Sequence, residues 1–80
     1  MTQFNLTENQ FIEYCQNEDN SNIIYMSENN ELFLGHHKYF GYNSFNYSFN
    51  GQTYSFKTFN IFRSKINQLI EKYSLTRDTE

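Results

Sequence analysis

Asn50-Gly51 sits between two stretches of alternating chemistry, N-S-F-N-Y-S-F before it and Q-T-Y-S-F-K-T after it. Both residues tolerate the positive φ that a type I′ turn needs at its central positions, so a two-residue hairpin loop is predicted there. That loop sets Phe49 opposite Gln52, Tyr47 opposite Tyr54 and Phe45 opposite Phe56. The same register pairs Ser48 with Thr53, Asn46 with Ser55 and Ser44 with Lys57. Apart from Phe49–Gln52, aromatic meets aromatic and polar meets polar. A slip of one residue would carry the aromatic set to the other face, so the register is well specified. Phe45, Tyr47, Tyr54 and Phe56 then form a core face, and the polar face is left to water.

Helices are predicted on both sides of this hairpin. Thr7 and Gln10 have the spacing of a capping box, and Leu6 and Phe11 occupy the hydrophobic-staple positions around it. Phe11, Ile12 and Cys15 continue an apolar stripe, which places a helix over 8–16. After Thr58 the period changes from two to 3.6, with Phe62, Ile66, Leu69, Ile70 and Tyr73 on one side. Asn60 is a suitable N-cap, so a second helix is expected over 60–74, followed by a frayed polar tail over 75–80. Its stripe is the surface expected to cover Phe45, Tyr47, Tyr54 and Phe56.

An earlier hairpin reads less plainly. Ile23–Ser27 and a run beginning at Glu31 are strands on either side of Glu28-Asn29-Asn30. A two-residue loop at Asn29-Asn30 would oppose Glu28 and Glu31, a destabilising like-charge pair. A three-residue loop is preferred, pairing Met26 with Leu32, Tyr25 with Phe33 and Ile24 with Leu34. Tyr25 and Phe33 then lie off the core face. In the segment between the hairpins alternation fails: Phe40 and Tyr42 have opposite parity to Phe45 and Tyr47, and Gly35 and Gly41 suggest a bulge or bend.

With strands over 23–27, 31–37, 43–49 and 52–58, the chain reads as one α+β domain spanning 1–80. The order is α-β-β-β-β-α, a four-stranded antiparallel meander with both helices on one face. Eighty residues are near the lower end for a core without disulfides or metals. Nine Phe and seven Tyr offset this, each burying about 150–250 Å². The Asn-rich composition without Pro or Trp resembles coding in AT-rich phage and mobile-element genomes.

Charge is unevenly divided. Up to Leu34 there are six acids and no Lys or Arg; from Gly35 onward come all six bases and three acids. A single cysteine, Cys15, forms no internal disulfide. The N-terminus has no basic region followed by an apolar run, and nothing approaches the roughly 18 apolar residues of a membrane span. A soluble cytoplasmic protein is expected.

The residues assemble no catalytic constellation, so no enzymatic activity, metal or cofactor is predicted. His36 and His37 are adjacent on a strand and point to opposite faces, so they do not share one metal. Cys15 lies on an apolar stripe among acidic neighbours, the setting of a buried hydrophobe rather than a thiolate. Glu28 and Glu31 sit at a turn without apolar shelter, so acid–base catalysis is not indicated.

The aromatics off the core face, Tyr25, Phe33, Phe40 and Tyr42, carry more signal, as hot spots for a partner or as base-stacking platforms. In size, composition and lack of catalytic residues the chain resembles small phage-encoded inhibitors of bacterial defence, including anti-CRISPR proteins. The resemblance is one of general character and transfers no residue. It implies a non-catalytic binding protein that occludes a larger, nucleic-acid-handling partner with a basic groove. Glu13, Glu18, Asp19, Glu28 and Glu31, with Tyr25 and Phe33, are the surface expected to meet that groove. An alternative is a single-stranded RNA or DNA binder using His37, Lys38, Phe40, Tyr42 and Lys57. A third is a structural homodimer formed edge to edge.

Overall fold

The computed structural model describes residues 3–16 and 23–77. Helix α1 (Glu8–Gln16) leads to strands β1 (Ile23–Ser27), β2 (Asn30–Tyr39), β3 (Tyr42–Phe49) and β4 (Gln52–Phe56). Helix α2 (Phe59–Tyr73) and a two-residue strand β5 (Thr76–Arg77) follow. The sheet is antiparallel throughout, in the order β4-β3-β2-β1-β5, and both helices pack on one face. This is the α+β meander expected, enlarged by one strand.

The β3–β4 hairpin has the predicted register from Phe45↔Phe56 to Phe49↔Gln52. Asn50 and Gly51 take φ of 51° and 89°, as the tight turn requires. Asn50 also ties the turn to β2: its backbone N–H donates to the Glu31 carbonyl at 3.0 Å. Its side-chain oxygen accepts from the Glu31 N–H at 2.9 Å, and its amide donates to Asn30 at 3.0 Å. Tyr54, expected in the core, is 44 % exposed, because β4 is the sheet's edge and its phenol turns to Gln52, 2.8 Å away.

The capping box at α1 is formed in both directions: the Thr7 N–H donates to Gln10 Oε1 at 2.9 Å, and the Gln10 N–H to Thr7 Oγ1 at 3.2 Å. Phe11 is fully buried and meets Phe4, Phe45, Phe59 and Phe62 at centroid distances of 5.4–6.1 Å. These five rings fill the space between sheet and helices largely edge-on or tilted, the arrangement ring quadrupoles favour. Phe4 reaches the cluster because Asn67 clamps its backbone. The Phe4 N–H donates to Asn67 Oδ1 at 2.8 Å, and Asn67 Nδ2 donates to the Phe4 carbonyl at 3.1 Å.

Four further expectations are corrected. The first hairpin closes with a two-residue loop at Glu28-Asn29, not a three-residue one, and Ser27 pairs with Asn30. The Asn30 amide donates to Ser27 Oγ at 3.0 Å across that closure, and Glu31 faces Met26, so the like-charge clash never arises. Secondly, Gly35 sits in regular pairing with Asn46 and β2 runs unbroken to Tyr39. The reversal is a tight turn at Phe40-Gly41, where Gly41 takes φ of 91°. Thirdly, Leu75 is buried and Thr76-Arg77 pair with β1 as β5, so that part of the tail is not frayed. Ser74, in the left-handed region at φ 54°, turns the chain back towards β1. Asn60 is not the N-cap: α2 begins at Phe59, and Thr58 holds the cap position without a side-chain hydrogen bond. Phe59 thereby joins the ring cluster.

Candidate binding surface

Because side chains alternate across a strand, the register decides which residues share a face. Ile23, Tyr25, Leu32, Leu34, Phe45 and Tyr47 point into the helix-covered core and are buried. Glu31, Phe33, Gly35, His37 and Tyr39 of β2 point the other way, beside Tyr42, Ser44, Asn46 and Ser48 of β3 and Thr53 and Ser55 of β4. Among the described residues no element covers this second face.

Its two ends differ. At one, Glu28 and Glu31 are exposed and Phe33 stands beside them, 37 % exposed. At the other, the closing pair Tyr39↔Tyr42 stacks ring on ring, with centroids 5.1 Å apart and planes 22° from parallel. His37 leans on Tyr39 at 4.4 Å, and the Lys57 ammonium lies 4.7 Å from the Tyr42 centroid, a cation–π contact. Phe40 projects past these rings from the turn, with no shielding at all. Eight residues of extended strand separate Glu31 from Tyr39, roughly 26 Å at 3.3 Å per residue. That exceeds the Debye length of about 8–10 Å, so in physiological salt the acids scarcely weaken the potential at the Lys57 end.

Depressions among the described residues mark both parts of this face. A cleft of about 230 Å³ is lined by Tyr39, Tyr42, Ser44, Ser55, Phe56 and Lys57. A shallower groove of about 170 Å³ passes over Gly35 between Phe33 and Asn46, Ser48 and Thr53. Gly35 makes its floor: a methyl group built there meets nothing within 4 Å.

The candidate residues read from sequence are thus partly brought together and partly separated. Tyr25 is withdrawn from the surface, since the tighter loop shifts β1 by one residue and turns its ring into the core at 2 % exposure. Burial pushes its phenol pKa up, and Arg77 on the neighbouring strand partly offsets this. Glu13 is exposed on α1, which packs on the opposite side of the sheet from Phe33. Glu18 and Asp19 lie outside the described residues. Glu28, Glu31 and Phe33 stay close together. Of the alternative set, His37, Tyr42 and Lys57 converge, whereas Lys38 has the parity of the core face and Phe40 occupies the turn. Tyr39 was missing from both sets. Its signal was Gly41 flanked by tyrosines, which is legible once Phe40-Gly41 is read as a tight turn.

His36 and His37 do point to opposite faces: the His36 Nε2–H donates to Asn43 Oδ1 at 2.9 Å and the ring packs 5.5 Å from Phe45. Among the described residues no three His, Cys, Asp or Glu side chains are grouped so as to hold a metal ion. Burial pushes the half-buried Cys15 thiol up, away from the thiolate form. Among the described residues no helix is long and apolar enough to cross a membrane. Comparison with protein-family models, with curated proteins and with solved structures finds no match.

Proposed function

We propose that this chain is a small non-catalytic binding protein that inhibits or modulates a larger, nucleic-acid-handling protein in the cytoplasm, in the manner of phage-type inhibitors of bacterial defence. The observation that carries the reading is the acidic end of the uncovered sheet face, where Phe33 stands 37 % exposed beside the exposed Glu28 and Glu31. Exposed aromatics of this kind form the anchors of protein interfaces when a partner desolvates them. Glu28 and Glu31 beside Phe33 supply the charge that complements a basic groove, which favours encounter and excludes acidic surfaces.

The test is capture from host lysate with the tagged chain, with and without nuclease, against a variant carrying Glu28→Ala, Glu31→Ala and Phe33→Ala together. All three side chains are exposed, so the variant keeps the wild-type circular dichroism spectrum. The reading expects a nuclease-resistant protein partner held by the wild type and lost by the variant. Equal capture by both removes this surface from the function.

A further inference from the structure

We infer that the Tyr39–Tyr42 end of the open face binds single-stranded nucleic acid, with one base stacked on Tyr42 in the place that the Lys57 side chain now covers. The inference concerns the opposite end of the face from Glu28, Glu31 and Phe33, and it stands or falls separately from the partner proposed for them. Three observations support it.

The first is the platform. Tyr39 and Tyr42 are directly paired across the hairpin and already stacked, so their rings are held before any ligand arrives. Tyr39 supports one side of Tyr42, while the cation–π contact on Tyr42 is made by Lys57. Lysine is long and flexible and its ammonium returns to water readily. A base that slides over Tyr42 displaces it, and the freed ammonium then meets the adjoining phosphate. One aromatic contact is exchanged for another, and one charge pair is gained.

The second is the chemistry and size of the cleft. Ser55 lines it with an exposed hydroxyl, which can both donate and accept hydrogen bonds and so fits base edges of any identity, while Ser44 is nearly buried. Ser44 Oγ already donates to Asn46 Oδ1 at 3.0 Å, which leaves its lone pairs free to accept. At about 230 Å³ the cleft falls below the roughly 300–1,000 Å³ of sites that enclose a small molecule. It suits one flat ring at a time, with the rest of a polymer outside. The groove over Gly35 continues the same face towards Phe33, roughly 20 Å from Tyr39 at 3.3 Å per strand residue. That is a course for further nucleotides.

The third is charge. Lys57 stands at this end of the open face, with Lys38 nearby on the other parity of the strand, and among the described residues the acids of the face lie at the far end, beyond screening distance. The overall charge of −3 therefore does not decide the local potential. Half of the lining is aromatic, as a stacked base requires, and the other half, Ser44, Ser55 and Lys57, is polar, which an apolar protein anchor would leave unpaired.

The test uses the full chain and fluorescently labelled oligo-dT and oligo-U of about 12 nucleotides, with a duplex of equal length as comparison. Binding of the single strands in preference to the duplex is expected at low salt, weakening as salt rises with a logarithmic slope of about −0.7 per phosphate neutralised. Tyr42→Ala is expected to weaken it roughly tenfold, the range for loss of one base–aromatic stack, while Tyr42→Phe keeps it. Lys57→Gln is expected to lower the slope by about 0.7. The Glu28→Ala, Glu31→Ala, Phe33→Ala variant retains oligonucleotide binding, which separates this site from the other end. No binding of either oligonucleotide at low salt overturns the inference, as does binding unaffected by Tyr42→Ala. Loss of a captured protein instead of oligonucleotide on Tyr42→Ala assigns this end to a protein interface and also overturns it.

Discussion

The two faces of the sheet are made by the same strands and have opposite economies of aromatic side chains. On the covered face Phe45 is fully buried among Phe11, Phe59 and Phe62, and each ring has neighbours on several sides. On the open face Tyr39 and Tyr42 stack on each other and otherwise meet water, His37 or Lys57. The rings of the first set are bound to the fold by what they exclude; those of the second contribute little to it. Small proteins have few residues to spare, so aromatics left in water on one face of an 80-residue chain point to contacts outside the molecule.

That contrast is broken most severely in the ring cluster. Phe62→Ala is expected to cost about 3–5 kcal/mol. That is a large part of the stability of a domain of this size, on the order of 4–12 kcal/mol. Tyr42→Ala removes a half-exposed ring and is expected to shift stability by under about 1 kcal/mol, within the range of surface changes. Urea denaturation of the two variants side by side measures the difference. Comparable losses would contradict the division between faces.

Next in size is the clamp on the N-terminal segment. Asn67→Ala deletes both hydrogen bonds to the Phe4 backbone and is expected to cost about 1–2 kcal/mol. Hydrogen exchange at the Phe4 amide should quicken with it. Unchanged protection there would show that burial of the Phe4 ring holds the segment unaided.

The buried phenols extend the comparison to pH. Tyr25 and Tyr47 have pKa values raised above the ordinary 10.0 by burial, and Tyr54 adds to the effect at Tyr47. The unfolded chain releases these protons near pH 10, and the folded chain releases them higher. Their contribution to stability is therefore complete below about pH 10 and is lost as pH rises through the folded values. Thermal melts should be flat across neutral pH on this account and fall in alkali, less so for Tyr25→Phe.

The smallest effect is expected at Ser74. Glycine in its left-handed position removes a steric penalty on the order of 1 kcal/mol, partly offset by the freedom it adds to the unfolded chain. Ser74→Gly should raise the melting temperature slightly and leave the open face untouched.

Legibility from sequence followed the same divide. Where a turn residue, a parity and a core face agree, as at Asn50-Gly51, every pair from Phe45↔Phe56 to Phe49↔Gln52 is readable. Thr7 and Gln10 were readable for a similar reason, since a local capping box needs no tertiary context. The first hairpin is harder to read because the repulsion of a Glu28–Glu31 pair excludes a two-residue loop at Asn29-Asn30 but leaves open both a three-residue loop and the two-residue loop at Glu28-Asn29 that forms. That one-residue shift exchanged the faces of Ile23, Tyr25 and their neighbours, and put Tyr25 in the wrong place. Phe4 carried no periodic signal, because its burial depends on Asn67, 63 residues away in the chain. Phe59 was overlooked in favour of Asn60 as a cap. The candidate surface was half legible: Phe33, Tyr42, His37 and Lys57 were named, but their division into two ends needed the register of β2 against β3.

The central claim is that contact with other molecules belongs to the open face and stability to the covered one. It is tested most directly by capture from host lysate with two folded variants in parallel. One carries Glu28→Ala, Glu31→Ala and Phe33→Ala; the other carries Ile61→Ala and Lys65→Ala on the exposed side of α2, where Ile61 is 55 % exposed. The account predicts that the first variant loses the partner and the second retains it at wild-type level. Retention by the first and loss by the second would place the contact on the helical side and contradict it.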